Sequence, residues 1–400
     1  MKAVILGDTH FGGGYSLGRI EPHQQLNTRL VDFSNTFDHV VDYMVSNEVT
    51  HFILTGDIFE HQRPQSELGV FSEKISRLSE LKIHTYIVIG NHDIVIDQRS
   101  TTMDVLKHLR LPFIHVQPDI DTVCCEDPCG DIMNFVFMPF RTKQSLGCSS
   151  NDAAVQRLSD ILRYEINGIT NSGLKILVGH FMLQDTILGD AVKDNHPGEV
   201  VLPLDMFNDF DAVVMGHVHP HQVIRRDPLI AYVGSMERKD FGEANHGKFF
   251  LTVEKTGPKT VYRFEALPVR SLYDITLDQS STENEGEIMD AIKRQLTEYA
   301  MKNRLFGNIV RLNISVNEKT AEEVDHDGIM EFVKRELLAY HCTGIHMQIT
   351  AKRQLRKASI TEKIDPIQSF NEYLELEEDA AMRERMRELG IGIISRRCKQ

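Results

Sequence analysis

Long hydrophobic runs are absent. No stretch of the 400 residues approaches the roughly 18 uninterrupted apolar positions of a membrane-spanning helix. The opening "MKAVILGDTH" carries too short an apolar part for a secretion signal and reads as a first strand. A cytoplasmic, intracellular protein with no membrane partner is therefore the expectation. Cysteine is scarce, and six in the whole chain fit a reducing compartment better than a disulfide scaffold. Cys124, Cys125 and Cys129 crowd one turn, but a zinc site needs a fourth ligand and Cys148 is the only nearby sulfur, so they read as surface hairpin cysteines. Positive charge is also lacking. A formal net charge of −14 excludes a protein that coats nucleic acid through overall basicity. It leaves open an enzyme acting on phosphates, because local basic patches and bound cations neutralise charge where it matters. There is no internal repeat, no low-complexity segment and no Walker-type loop, so any ATP dependence has to come from a partner. "FGGG" at 11–14 lacks strand-to-helix spacing and reads as a loop.

What is present is a repeated design. The runs at 2–10, 51–57, 85–93, 174–180 and 212–219 each hold four or five β-favouring apolar residues, then a glycine, then Asp, Asn or His. Continuous apolar runs of this length predict strands buried on both faces. Helical patterns lie between them, at Phe37, Val40, Val41, Met44 and Val45 and again at Leu68, Phe71, Ile75, Leu78 and Leu81. The alternation predicts a layered α/β sandwich of mixed sheets flanked by helices, spanning 1–268. After Pro268 a β-α-β-α-β order predicts a small α/β domain at 269–352. The charged tail, 353–400, predicts amphipathic helix with a thin apolar stripe (Ile367, Phe370, Leu374), suited to docking on another protein.

Asp8, His10, Asp57, Asn91, His92, His180, His217 and His219 all follow the glycine-ended strands. Ligands collect at the carboxyl ends of strands in such sheets, and the expectation is that all eight meet at one end of one sheet. Taken singly, a histidine at a strand end is more often a packing residue. Together these groups would be costly to crowd unless something binds them. Two carboxylates, an amide oxygen and four imidazoles, with no thiolate, suit hard to borderline ions: two Mn²⁺, or Mg²⁺, Fe²⁺ or Zn²⁺. Asp57 is the natural bridge, holding ions roughly 3.5–4 Å apart for in-line phosphoryl displacement by a hydroxide between them. His92 would protonate the leaving oxygen.

The motifs "DTH", "GD", "GNHD", "GH" and "GHVH" occur in the order of the calcineurin-like metallophosphoesterase superfamily, which this chain resembles. The resemblance implies one metal on Asp8, His10, Asp57 and His219 and the other on Asp57, Asn91, His180 and His217. His221 has no counterpart there and reads as a surface loop residue. More narrowly, "LTGDIFEHQRPQ" and "YVGSMERKDFGEANHGKFFL" look like the SbcD nucleases of DNA double-strand-break repair and recombination. That resemblance covers about 1–267 and continues loosely through a DNA-facing capping domain and a docking segment containing "DPIQSFNEYLE". It implies a Mn-dependent 3′–5′ exonuclease on duplex ends and an endonuclease on single strands or hairpins. It also implies a nucleoid-associated homodimer paired with an SbcC-type coiled-coil ABC ATPase. One departure concerns the endonuclease mode: many relatives carry histidine where Glu60 stands, with His61 following here. Asp93 is expected to orient His92 or a ligand, or only to cap a turn. Arg19, Arg29, Arg63 and Arg99 in loops, with Arg238 and Lys239, are candidate phosphate contacts. Two rivals remain: a small-substrate phosphoesterase (a cyclic-nucleotide phosphodiesterase or a phosphatase), and a non-catalytic scaffold.

Overall fold

The computed structural model describes all residues except 22–24, 96–100, 188–197, 283, 351–369, 372, 375–381, 388 and 391–400. Two compact units arise, Met1–Ile349 and Thr350–Gln400.

Two six-stranded mixed sheets form the heart of the first unit. One has the order β14-β13-β1-β2-β3-β4, built from β1 (Lys2–Leu6), β2 (His51–Leu54), β3 (His84–Val88), β4 (Ile114–Gln117), β13 (Phe249–Thr256) and β14 (Lys259–Ala266). The other has the order β11-β12-β10-β7-β6-β5, from β5 (Asp121–Glu126), β6 (Ile132–Met138), β7 (Leu174–His180), β10 (Ala212–Gly216), β11 (Gln222–Arg226) and β12 (Leu229–Tyr232). A short pair, β8 (Met182–Leu183) and β9 (Val201–Leu202), lies between β7 and β10 in sequence. β1 to β4 run parallel, as do β6, β7, β10 and β12.

The period of two in a strand sends alternate side chains to opposite faces. Ala3 and Ile5 meet Phe135, Phe137, Ile176 and Val214 of the other sheet. Val4 and Leu6 instead meet Phe33, Phe37 and Val40 of α1 (Thr28–Ser46) and Phe71 and Ile75 of α2 (Ser66–Glu80). On the far side Val136, Leu177 and Val213 pack on Ala154, Leu158 and Leu162 of α4 (Asn151–Gly168). A short α3 (Asp104–Leu109) precedes β4. The result is a helix–sheet–sheet–helix sandwich, with each fully buried aliphatic or aromatic side chain contributing roughly 1.5–3 kcal/mol.

The expectation of one sheet is corrected here. The glycine-ended strands divide between two sheets, β1, β2 and β3 in one and β7 and β10 in the other. Strands buried on both faces carry no alternation that says which sheet they join.

After Pro268 the chain forms β15 (Leu272–Gln279), α5 (Ile288–Lys302), β16 (Ile309–Asn317), α6 (His326–Arg335) and β17 (His341–Thr350). The sheet order is β15-β16-β17, β15 and β16 being parallel. Its own core joins Ile275, Leu277, Ile292, Leu296, Leu312, Ile329 and Val333. Arg270 ties it to the sandwich, bonding Asp32 at 2.9 Å while its guanidinium lies 3.5 Å over the Tyr340 ring. In the second unit, residues 370–371, 373–374, 382–387 and 389–390 are helical and Leu374 is buried; most of the "DPIQSFNEYLE" segment, Ile367 included, lies outside the described residues. Among the described residues no helix is long and apolar enough to cross a membrane.

Candidate metal centre

The loops after β1 and β2 are zipped together by main-chain bonds: His10 N to Asp57 O and Phe11 N to Ile58 O, both 2.9 Å, and Glu60 N to Phe11 O, 3.0 Å. The turn this requires is tight. His10, Asp57 and His217 all adopt positive φ (42°, 48° and 90°), a left-handed conformation that side chains other than glycine adopt only where the surroundings enforce it. The glycines explain themselves by close approach. A Cβ on Gly90 would overlap the Asp57 carboxylate, and one on Gly216 would overlap Asp8 and Thr55.

The seven expected ligands converge. Asp57 Oδ2 lies 3.4 Å from His180 Nε2 and 3.6 Å from His10 Nε2. Asn91 Oδ1 is 2.9 Å from both His180 Nε2 and His217 Nδ1. His10 Nε2 faces His219 Nε2 at 3.0 Å, and Asp8, His10 and His219 bring their ligand atoms within reach of a single ion. Asp8 accepts from Thr55 Oγ1 (3.2 Å) and from the His217 amide (2.8 Å). Asp8, His10, Asp57 and His180 are buried.

Two of the imidazoles hydrogen-bond an acceptor through the outward nitrogen, and the other two have a carboxylate oxygen beside it, out of hydrogen-bond line. Thr55 O takes His180 Nδ1 at 2.9 Å and Glu243 Oε1 takes His219 Nδ1 at 2.8 Å. Glu60 Oε2 stands 3.0 Å from His10 Nδ1, and Glu199 Oε1 stands 2.5 Å from His217 Nε2. Acceptors outside and lone pairs inside are what metal-bound histidines need. Buried carboxylates opposed by imidazole lone pairs are costly without a cation, so the residues fit a pair of divalent ions.

The electrostatics agree. Burial would raise the Asp57 pKa, yet His180, His92 and His10 hold it well below the usual carboxylate range. Burial would likewise depress His180, but Asp57 and Asp8 push it up to about 9. His10 falls to about 4, through burial first and then the Lys239 charge, and is a neutral donor at pH 7.

His92 sits at the edge of this cluster, its ring centroid 4.9 Å from that of His10 and its Nδ1 3.0 Å from the Glu60 carbonyl. Its amide donates to Asp57 Oδ1 at 2.8 Å. Asp93 does not orient His92. It accepts from the Ile58 amide (3.0 Å) and the Gly90 amide (2.9 Å), clamping the loops after β2 and β3, and burial together with the Asp57 charge raises it to about 6.

The basic candidates for phosphate contact stand in different surroundings. Arg29 is not in a loop but buried in α1, paired with Asp32 at 2.7 Å and Glu237 at 3.0 Å. Arg238 is buried too, donating to the carbonyls of Glu243, His246 and Arg270. Arg19 donates to the Tyr340 carbonyl at 2.7 Å. Lys239 is ion-paired with Glu60 at 2.6 Å. Arg63 is exposed, and Arg99 lies outside the described residues. His221 is not surface decoration: it is half-buried between the Phe249 and Phe264 rings and bonds the Tyr232 carbonyl at 3.0 Å. Cys124 and Cys129 are exposed, whereas Cys125 turns inward, 3.6 Å from Tyr86 Oη. Glu199, Glu243 and Lys248 escape a reading of the sequence. They follow no strand-end pattern, and only Glu243 and Lys248 fall in a stretch, "YVGSMERKDFGEANHGKFFL", that stands out by resemblance.

Fold and site define a class, a two-metal phosphoesterase. A family model described as calcineurin-like phosphoesterase matches residues 1–221, and the chain belongs to that family, which implies a divalent dimetal site. Within it, the chain is 26% identical over 304 residues to the D component of the SbcCD nuclease of Staphylococcus saprophyticus, covering 74% of each. It is 23% identical to the DNA double-strand break repair protein Mre11 of Thermoplasma acidophilum, covering 60% of this chain and 57% of that one. To the D component of the SbcCD nuclease of Escherichia coli K12 it is also 23% identical, covering 62% and 64%.

Proposed function

We propose that this chain is a DNA nuclease that hydrolyses phosphodiesters with two divalent cations, Mn²⁺ foremost. The observation that carries the reading is Asp57 Oδ2 lying between His180 Nε2 and His10 Nε2, at 3.4 and 3.6 Å. Asp8, His10, Asp57 and His219 would hold one ion, and Asp57, Asn91, His180 and His217 the other. The bound ions would supply a water nucleophile ionised near neutral pH and neutralise charge on the phosphate. The protein does the rest. The zipped loops hold the donors in place, and His92, its Nδ1 proton engaged by the Glu60 carbonyl, presents Nε2 to protonate the leaving oxygen.

The relatives' names, a nuclease and a DNA double-strand break repair protein, favour DNA as substrate; cutting from 3′ ends of duplex and within single strands or hairpins is the part of the proposal that rests on the sequence resemblance alone. Residues 269–352 are assigned as the DNA-facing cap and 353–400 as the segment docking an SbcC-type coiled-coil ABC ATPase, in a homodimeric assembly. Of the basic candidates, Arg63 keeps its side chain exposed for phosphate. The test is digestion of linear duplex, single-stranded and hairpin DNA with Mn²⁺, with and without a candidate ATPase, against a nitrophenyl phosphodiester. Turnover of the small ester alone would assign a small-substrate phosphoesterase; no manganese bound would assign a scaffold.

A further inference from the structure

In the half of the centre formed by His10 and His219 a lysine–glutamate pair stands beside each imidazole, hydrogen-bonded to it at His219 and, at His10, within ion-pair distance but out of hydrogen-bond line. Lys248 Nζ meets Glu243 Oε2 at 2.5 Å, and Glu243 Oε1 meets His219 Nδ1 at 2.8 Å. Lys239 Nζ meets Glu60 Oε2 at 2.6 Å, and the same oxygen lies 3.0 Å from His10 Nδ1. Both lysines and Glu243 come from the single stretch between β12 and the start of β13. Glu60 comes from the loop after β2, where its amide bonds Phe11 O and its carbonyl receives His92 Nδ1. The Glu60 side chain is therefore delivered by a main chain fixed on both sides, and it is largely buried. Nothing in this arrangement requires Glu60 for the fold of the zipped loops, whose bonds all use its backbone.

We propose that Glu60 is a positioning residue for His10, and that Lys239 tempers it. A carboxylate beside Nδ1 keeps the ring proton on that nitrogen, aims the Nε2 lone pair inward and makes it a stronger donor to a divalent cation. The ammonium on the far side of the carboxylate withdraws part of that effect. Removing Glu60 and removing Lys239 thus act in opposite directions on the same ion, whereas loss of mere structural support would weaken binding in both cases. The inference rests on the two-metal reading above and deepens it, by assigning the charge balance that tunes one of the two sites.

The experiment is Mn²⁺ titration calorimetry on the full chain, with circular dichroism as a check on folding. The wild type is expected to bind two ions. In Glu60→Gln one of them weakens by about 10- to 100-fold while the other is unchanged; in Lys239→Met the same ion tightens. Nitrogen-15 NMR of labelled histidines in the metal-free protein gives an independent readout: His10 carries its proton on Nδ1 in the wild type and shifts toward a mixture of tautomers in Glu60→Gln. If Glu60→Gln fails to fold, Lys239→Met and the wild-type tautomer decide alone. Wild-type affinities in both variants, or equal weakening in both, overturn the proposal. Absence of manganese binding by the wild type would instead overturn the two-metal reading.

Discussion

Histidines stand at both ends of β2 and β3, in opposite company. At the carboxyl ends, His180 of the facing sheet bonds Thr55 O and approaches Asp57 and Asp8, and its pKa rises to about 9 despite burial. At the amino ends, His51 is paired in register with His84, and their rings stack at 5.4 Å; His115 continues the stack at 5.8 Å from His84 and 4.9 Å from Tyr86. No carboxylate among the described residues pairs with His51 there. Burial, then the neighbouring His84, the amino terminus and His115, push it down to about 4. His115 Nε2 finds no partner among the described residues. The same side chain is thus a candidate ligand where strands end in acidic, glycine-turned loops, and a flat packing surface where they begin. Surroundings, not residue type, make the difference.

The largest way to break this comparison is Asp57→Asn. Removing the one charge that faces both halves should abolish binding of both ions and lower cleavage by more than about ten-thousand-fold, or some 5 kcal/mol in the barrier. Mn²⁺ stoichiometry and a DNA digestion assay check it; a variant still holding two ions would remove Asp57 from the bridge. Next comes His92→Ala, at the edge of the acidic end. Metal content and DNA binding should persist while turnover drops by about a hundred- to ten-thousand-fold, the range of a lost general acid. Unchanged turnover with unchanged metal would return His92 to packing.

How much of this contrast was legible in the sequence depends on the end considered. The acidic end was readable because each of its groups directly follows a glycine-ended apolar run, so local pattern and chemistry coincide. That the runs split between two sheets was not, since partnerships such as Gly216 with His180 join residues far apart in sequence. The bracing carboxylates Glu60, Glu199 and Glu243 were invisible as a set because only the fold brings them onto the outer nitrogens. The burial of Arg29 and Arg238 is illegible for the converse reason: their partners Glu237 and Arg270 are distant in sequence, and an arginine in a polar stretch looks solvated until those partners are placed. The strand β6 and helix α4 carry little signal in the sequence, because "IMNFVFM" has no polar strand-end residue and the Ala154, Leu158, Leu162 stripe is narrow.

A smaller effect separates the two ends by pH. His51 binds a proton in the unfolded chain below about 6.5 but in the folded chain only near 4. The unfolded state therefore gains protons first as pH falls, and folding stability declines across the window from 6.5 down to 4. His51 accounts for up to about 3 kcal/mol of that decline. His51→Phe keeps a flat ring in the stack and should flatten this part of the profile, read as the difference in urea midpoints between pH 7 and pH 4.5 for variant and wild type. Parallel profiles would show that the amino-end stack does not resist protonation.

The smallest effect belongs to the third histidine of "GHVHPH". His217 and His219 have acidic partners on their outer nitrogens, whereas His221 has the Tyr232 carbonyl and two phenylalanine rings, and burial lowers its pKa. By the same criterion it belongs with His51 rather than with its sequence neighbours. His221→Leu should lose one net hydrogen bond, about 1 kcal/mol of stability, and keep both manganese ions with cleavage within about two-fold, as expected of a site that shares no partner with the metals. Calorimetric metal titration decides it. Loss of an ion from this variant would mean that position along the motif, and not nearness to the buried Asp8 and Asp57 carboxylates, selects the ligands.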